Sequence, residues 1–294
     1  MSNLTEKNYD LIAFDLDGTV FGTPTNQVVS PRVCDVFEAA HAAGVTIAVA
    51  SGRPAWMLGE QLPAAPWLDW AICCNGSRVA PMHAQGEGFS ACFSRELAVQ
   101  VLTAIGELGG SMTLHTNSES LMEKRHIEHL VAVFDENERD RGIEAPAGNP
   151  IDRLMAQFSA VAVDSAAEAF AARRDAEADK MDVRMPSPDA ADALEARLEE
   201  LGGVAAARLD ETNFELTAAS ASKGNACEEL CQRLGIDPAR AVAFGDSGND
   251  LSMAGREITF VAMGNAIDEV KAAADAVTDS VFKNGVATWL EANL

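Results

Sequence analysis

Two short acidic segments stand far apart in this chain: Asp15-Leu16-Asp17-Gly18-Thr19 and Gly245-Asp246-Ser247-Gly248-Asn249-Asp250. Each directly follows an apolar run, residues 11–14 and 241–244, that reads as a buried strand. In extended chain, residues i and i+2 point to one side, so Asp15 and Asp17 face one crevice. Open α/β sheets place their ligands in such a crevice, beyond the carboxyl ends of parallel strands. If the two strands are neighbours, four carboxylates converge there. Charges packed so closely repel, and burying them without a counter-ion costs a great deal. The acids therefore imply a bound cation, and a hard divalent ion such as Mg2+ suits oxygen donors.

Two further segments offer groups that suit a phosphate oxygen. Ser51-Gly52-Arg53 closes the apolar run 45–50 with a hydroxyl and backbone N–H groups, just before a helix. Lys223 opens another predicted helix, where the helix dipole disfavours a cation. A lysine placed against that trend points to a separate job. Each segment taken alone also reads as ordinary turn chemistry, because Asp, Asn, Gly and Ser favour turns.

These groups need a scaffold, and the flanking sequence supplies one. Ser30-Pro31 gives an N-cap and first-turn proline for a helix to about residue 43, with Gly44 as its stop. Strands are expected at 45–50 and 71–74, the second ended by Asn75-Gly76. Near the C-terminus come a helix at 223–234, a strand at 241–244 and a helix from Asp250. A strand at 258–262, a helix from Ala266 and a last helix at 286–292 complete the series. Strands spaced by helices indicate a parallel sheet, so the fold class is α/β with a Rossmann-like, doubly wound core.

The middle of the chain follows another grammar. Helices are expected at 95–108, 126–134, 166–178 and 190–201, with strands at 112–115, 158–163, 181–185, 204–209 and 214–217. This is an inserted α+β domain over 82–217, set between core segments 1–81 and 218–294. Net charge supports the division, at −14 for 82–217 against −4 and −5 for the flanks.

Composition bounds the function. The 294 residues are 48% hydrophobic and carry a net charge of −23, which suits a globular protein and repels a nucleic-acid backbone. Residues 1–10 lack the pattern of a signal peptide, and no apolar run nears the roughly 20 residues of a membrane span. The expectation is a soluble, cytoplasmic protein acting on a small molecule. Six cysteines (34, 73, 74, 92, 227 and 231) read as reduced, mostly buried thiols. Cys73 and Cys74, adjacent in a strand, point to opposite faces. His126 and His129, at i and i+3, have no third metal ligand in view. Trp56, Trp67 and Trp70 read as packing, and Arg173-Arg174 as a solvated helix face.

Taken in order, DLDGT at 15–19, SGR at 51–53, NG at 75–76, SKG at 222–224 and GDSGND at 245–250, followed by Met263-Gly264-Asn265-Ala266 and Gly285-Val286-Ala287, resemble the haloacid-dehalogenase superfamily. The resemblance is to its Cof-type branch, which carries a large inserted cap of the C2 type. It spans the core segments; the insert corresponds only in place and size. It implies a Mg2+-dependent phosphatase with Asp15 as nucleophile and Asp17 as the acid and base. It also implies a metal held by the Asp15 carboxylate, the Asp17 backbone carbonyl and Asp246, with Asp250 supporting that shell. Ser51, Gly52, Lys223 and Asn249 would hold phosphoryl oxygens, and the cap would select the substrate, with sugar phosphates the leading class. The chain departs from the family pattern at Val281-Phe282-Lys283-Asn284, where Lys283 alters the local charge. Two other readings stay open on the sequence: a phosphohexomutase, and a non-catalytic metabolite-binding regulator. Oligomeric state does not follow from it.

Overall fold

A computed structural model describes residues 8–22, 27–140 and 149–294. The N-terminal stretch weighed as a targeting segment lies, through residue 7, outside the described residues. The chain divides into two compact units, residues 1–90 with 221–294, and residues 91–220.

In the first unit the chain runs β1 (Leu11–Phe14), α1 (Pro31–Ala42), β2 (Thr46–Ala50), α2 (Gln61–Ala64), β3 (Trp70–Cys73), β4 (Arg78–Pro81) and β5 (Phe89–Ser90). The second unit follows as α3 (Arg95–Glu107), β6 (Ser111–Thr116), β7 (Ser120–Glu123), α4 (Lys124–Asp140), α5 (Pro150–Gln157), β8 (Ala160–Val163), α6 (Ala166–Ala172), β9 (Ala178–Arg184), α7 (Pro188–Leu201), β10 (Val204–Arg208) and β11 (Asn213–Ala218). The chain then returns through α8 (Lys223–Leu234), β12 (Ala241–Gly245), β13 (Thr259–Ala262), α9 (Asp268–Ala273), β14 (Ala276–Val277) and α10 (Gly285–Asn293).

The first unit is an α/β fold on one sheet of order β14-β13-β12-β1-β2-β3-β4-β5. Strands β14 through β3 run parallel, and β4 and β5 add on antiparallel. From β1 the chain winds outward through β2 and β3, then returns to build the other side through β12, β13 and β14. The order thus reverses at β1, the switch point of a doubly wound sheet. All four β1 residues are buried. That is why this strand is an unbroken apolar run rather than an alternating one. Phe14, Phe37 and Trp67 pack together beside it, with the Phe14 and Phe37 ring centroids 4.7 Å apart. Trp67 and Trp70 are buried.

The second unit has its own sheet, β10-β11-β9-β6-β7-β8, antiparallel except for β7 with β8. Met112, Leu114, Met181, Val183 and Leu216 join Leu102, Ile105, Leu194 and Leu198 of α3 and α7 in one core. The neighbouring strand positions are polar, as period-2 alternation requires.

Several expected elements differ. The observed division falls at 90/91 and 220/221 rather than 81/82 and 217/218, because β4 and β5 extend the first sheet and β11 carries the second sheet to Ala218. The helix expected over 166–178 stops at Ala172. The Arg95 guanidinium collects the carbonyl oxygens of Phe170, Ala171, Arg173, Arg174 and Ala176 at 2.9–3.4 Å, which ends the helix from outside. Arg173 and Arg174 therefore lie on no helix face, and Arg173 Nε donates to Glu119 at 2.6 Å. Cys74 is not in β3 but in the turn beyond it, at φ 51°. No α-helix begins at Asp250; residues Gly248–Met253 form a 3-10 turn. The six cysteines are free. Among the described residues no helix is long and apolar enough to cross a membrane.

His126 is buried, with Nδ1 3.1 Å from Ser111 Oγ. Burial, opposed by Asp182 and aided by His129 and Arg184, pushes its pKa down to about 4 from 6.5. Between those values the unfolded chain takes up a proton that the folded one refuses. The stability from the neutral ring is thus complete above pH 6.5 and is lost as pH falls toward 4, by roughly 3 kcal/mol. The melting temperature should fall from pH 7 to pH 4.5, and His126→Gln should shrink that fall. Equal falls in both proteins would contradict the assignment.

Candidate active site

Strand register brings the separated motifs together. Phe14 pairs with Phe244 on one side and Val49 on the other. The ladder continues one step further, with Asp15 N–H donating to Phe244 O at 3.0 Å and Ser51 N–H to Ile72 O at 2.8 Å. Asp15, Ser51 and Asp246 therefore leave adjacent parallel strands at the same edge.

Lys223 is the centre of the charge arrangement. It is fully buried at the first turn of α8, and Nζ donates to Asp15 Oδ1 at 2.6 Å and to Asp250 Oδ1 at 2.7 Å. Burial works against its charge, but Asp15 and Asp250 outweigh burial and hold the ammonium above its ordinary range. Burial pushes the Asp15 carboxyl upward, Lys223 pulls against that and Asp250 adds to it. The two short contacts fit a charged lysine shared between two acids. Asp250 spends its other oxygen on the loop, accepting from the Asp246 and Ser247 N–H groups at 2.8 and 3.0 Å.

Carboxylate oxygens of Asp15, Asp246 and Asp250 lie within 4.8 Å of one another. Three carboxylates thus face one ammonium, and the surplus negative charge is what a divalent cation would offset. Burial, with Asp250 adding to it, pushes Asp246 up to about 6. Thr19 is near enough to favour ionised Asp246 slightly. Yet neither Thr19 Oγ1 nor the buried Asp246 Oδ1 makes a hydrogen bond of normal geometry. An orphaned buried carboxylate oxygen among clustered hard donors fits a Mg2+-type ion.

Asp17 departs from the expectation of a shared crevice. Its carboxylate is outside that cluster and forms a two-pronged pair with Arg53, at 2.8 Å from Nε and 2.6 Å from Nη2. Each acid of the Asp15-x-Asp17 pair has its own cation, Lys223 for one and Arg53 for the other. The Asp17 side chain is 45% exposed, so water reaches it. Arg53 is itself fixed by Met57 O at 3.0 Å and by the Phe21 ring at 5.6 Å.

Ser51 is buried, and its Oγ accepts from Arg53 N–H at 3.2 Å. A Cβ on Gly52 would sit 2.9 Å from Asn75 Oδ1 and 3.5 Å from Asn249 Nδ2. That crowding brings three chain segments to one point. Gly18, at φ 83°, lies so close to Asp246 that a Cβ would be 2.0 Å from its Oδ2. Asn265 ties this contact down, donating to Gly18 O at 2.8 Å while its own Oδ1 accepts from Val281 N–H at 2.8 Å.

The structure thus brings Asp15, Asp246, Asp250 and Lys223 into direct contact or close approach, and places Ser51, Gly52 and Asn249 in a second connected group. The sequence alone assigns no role to the side chains of Arg53, Asn75 and Asn265, although each stands inside one of the motifs. Their partners are 36, 174 and 247 residues distant in sequence, beyond any local signal.

Comparisons with known proteins show what the chain as a whole resembles. A model of the haloacid dehalogenase-like hydrolase family matches residues 12–290. YxeH of Bacillus subtilis (strain 168), provisionally named a phosphatase, is 28% identical over 292 residues, 95% of this chain and 96% of that protein. Phosphatase YwpJ of the same organism is 44% identical over 81 residues, 28% of each chain. A solved haloacid dehalogenase-like hydrolase from B. subtilis has a TM-score of 0.78 at 27% identity, covering 97% of this chain and 100% of that one. The subclass IIB sugar phosphatase BT4131 has the same fold, with a TM-score of 0.73 at 21% identity over 96% of this chain and 98% of that one.

Lys223→Met removes the ammonium that Asp15 and Asp250 share. Unpairing buried charges in this way costs on the order of 3–5 kcal/mol. Urea unfolding in EDTA should show that loss as a lower midpoint; an unchanged midpoint would contradict the charge balance described.

Proposed function

This chain belongs to the haloacid dehalogenase-like hydrolase family, and from that premise we propose that it is a Mg2+-dependent phosphatase acting on a small phosphate ester. The convergence of Asp15, Asp246 and Asp250 around Lys223 carries the reading. Phosphoryl transfer asks mainly for positioning and charge neutralisation, and this cluster is built for both.

An Asp15 oxygen attacks phosphorus, forming an aspartyl phosphate as the ester P–O bond breaks. Asp17, released from its pair with Arg53 and protonated, gives its proton to the departing alkoxide. The Asp17 carboxylate then takes a proton from water, whose oxygen attacks the same phosphorus and releases phosphate from Asp15. Dividing one hard hydrolysis into two displacements is the gain of a carboxylate nucleophile. Ser51, Gly52, Lys223 and Asn249 hold the phosphoryl oxygens. Asp15, the Asp17 backbone carbonyl and Asp246 would hold Mg2+, with Asp250 behind them; when bound, the ion offsets negative charge on the phosphoryl group.

Sugar phosphates are the proposed substrate class. Support comes from the likeness to BT4131, named a sugar phosphatase. A phosphate-release screen over sugar phosphates, nucleotides and phosphorylated cofactors, with Mg2+ and with EDTA, tests the proposal. Release should need Mg2+ and be greatest among sugar phosphates. Asp15→Asn should lower it at least ~1000-fold, the scale expected on removing a nucleophile. Phosphate release by Asp15→Asn at the wild-type rate would refute the mechanism.

A further inference from the structure

Cys74, Asn75 and Gly76 all hold positive φ, at 51°, 56° and 96°. Glycine adopts that region freely and asparagine with modest strain, but cysteine is rarely found there. Such a run persists only where its surroundings over-determine it, and strained backbone of this kind gathers at functional sites. Here Cys74 N–H donates to Arg53 O and Asn75 N–H to Ser51 O, both at 3.0 Å. On the other side a Cβ on Gly76 would lie 2.2 Å from Ser222 O. The run is thus clamped between the Ser51-Gly52-Arg53 turn and the residue before Lys223.

The product of this strain is the direction of one side chain. Asn75 Oδ1 accepts from Asn249 Nδ2 at 3.0 Å, and Asn249 Oδ1 accepts from Ser247 Oγ at 2.9 Å. The Asn249 amide is therefore held at both ends. Reversing it would set two carbonyl oxygens against each other at Asn75. In the orientation held, the Asn249 NH2 group is turned toward Gly52, 3.5 Å from where a Cβ there would be. An amide NH2 has two N–H bonds, and Asn75 takes one of them.

We infer that Asn75 is a positioning residue: the left-handed run 74–76 fixes the Asn249 amide so that its second N–H faces the Gly52 turn and a phosphoryl oxygen bound there. The inference rests on the phosphatase reading and adds to it a group that touches no substrate. It requires an acceptor at position 75 on a backbone that only tertiary contacts hold in place.

Asn75→Gly tests it, because glycine takes the same backbone without strain and lacks only the amide. The variant should melt no lower than wild type. Its kcat/KM should fall about tenfold, the effect of one misdirected hydrogen bond to a charged group. Inhibition by inorganic phosphate should weaken to a similar degree. In an Asn249→Ala background the same change should add nothing, since the group it orients is gone. Wild-type kcat/KM in Asn75→Gly would overturn the inference. So would a loss that recurs in full beside Asn249→Ala, or one that tracks a lower melting temperature. A wild-type protein that releases no phosphate from any ester with Mg2+ fails the phosphatase reading and this inference together. An active wild type with an indifferent Asn75→Gly fails this inference alone.

Discussion

One ammonium buried between two carboxylates governs this molecule. Lys223 has no exposed surface and binds Asp15 and Asp250 at once. Neither acid would be tolerable in the interior alone, and the lysine would not be tolerable without them. This interaction joins β1, the turn after β12 and the start of α8. Asp250, held by Lys223 on one oxygen, uses the other to shape the loop that carries Asp246. The position of Asp246 near Asp15 is therefore a consequence of where the lysine sits. Even so, one positive charge cannot balance three negative ones, and the remainder leaves the cluster suited to a cation.

A second layer surrounds that pair and is built from amides and one guanidinium. Arg53 takes Asp17 out of the cluster and into an exposed pair. Asn265 holds the Gly18 backbone against Asp246, and Asn75 holds Asn249. These neutral and paired groups leave the charge of the cluster unchanged and fix where its members point. The division is physically sensible, since a site with raised carboxyl pKa values has little tolerance for further unpaired charge.

Much of this was legible in the amino-acid order. The unbroken apolar runs before Asp15 and Gly245 announced buried parallel strands, and the acids after them stand together at one edge of that sheet. Lys223 was legible as an anomaly, a cation where the helix dipole opposes one. Other features were not, and each has a tertiary cause. Alanine-rich residues 166–178 favour helix throughout, yet Arg95, far off in the chain, captures the carbonyls that end it. The left-handed geometry of Cys74 opposes its own propensity and is imposed by Arg53 and by the crowding at Ser222. The i, i+2 rule placed Asp17 beside Asp15, but the chain turns at once after β1, where Thr19, Val20 and Phe21 N–H groups all donate to Leu16 O. The rule for extended chain does not apply there.

Asp15 and Asp246, backed by Asp250 and Lys223, are proposed to hold one cation. Isothermal titration of the apo protein with Mg2+, compared with Asp246→Ala, measures this directly. Wild type should bind one ion per chain, and the variant should show no saturable binding in the same range. Equal stoichiometry and affinity in the two proteins would place the ion elsewhere and contradict the account.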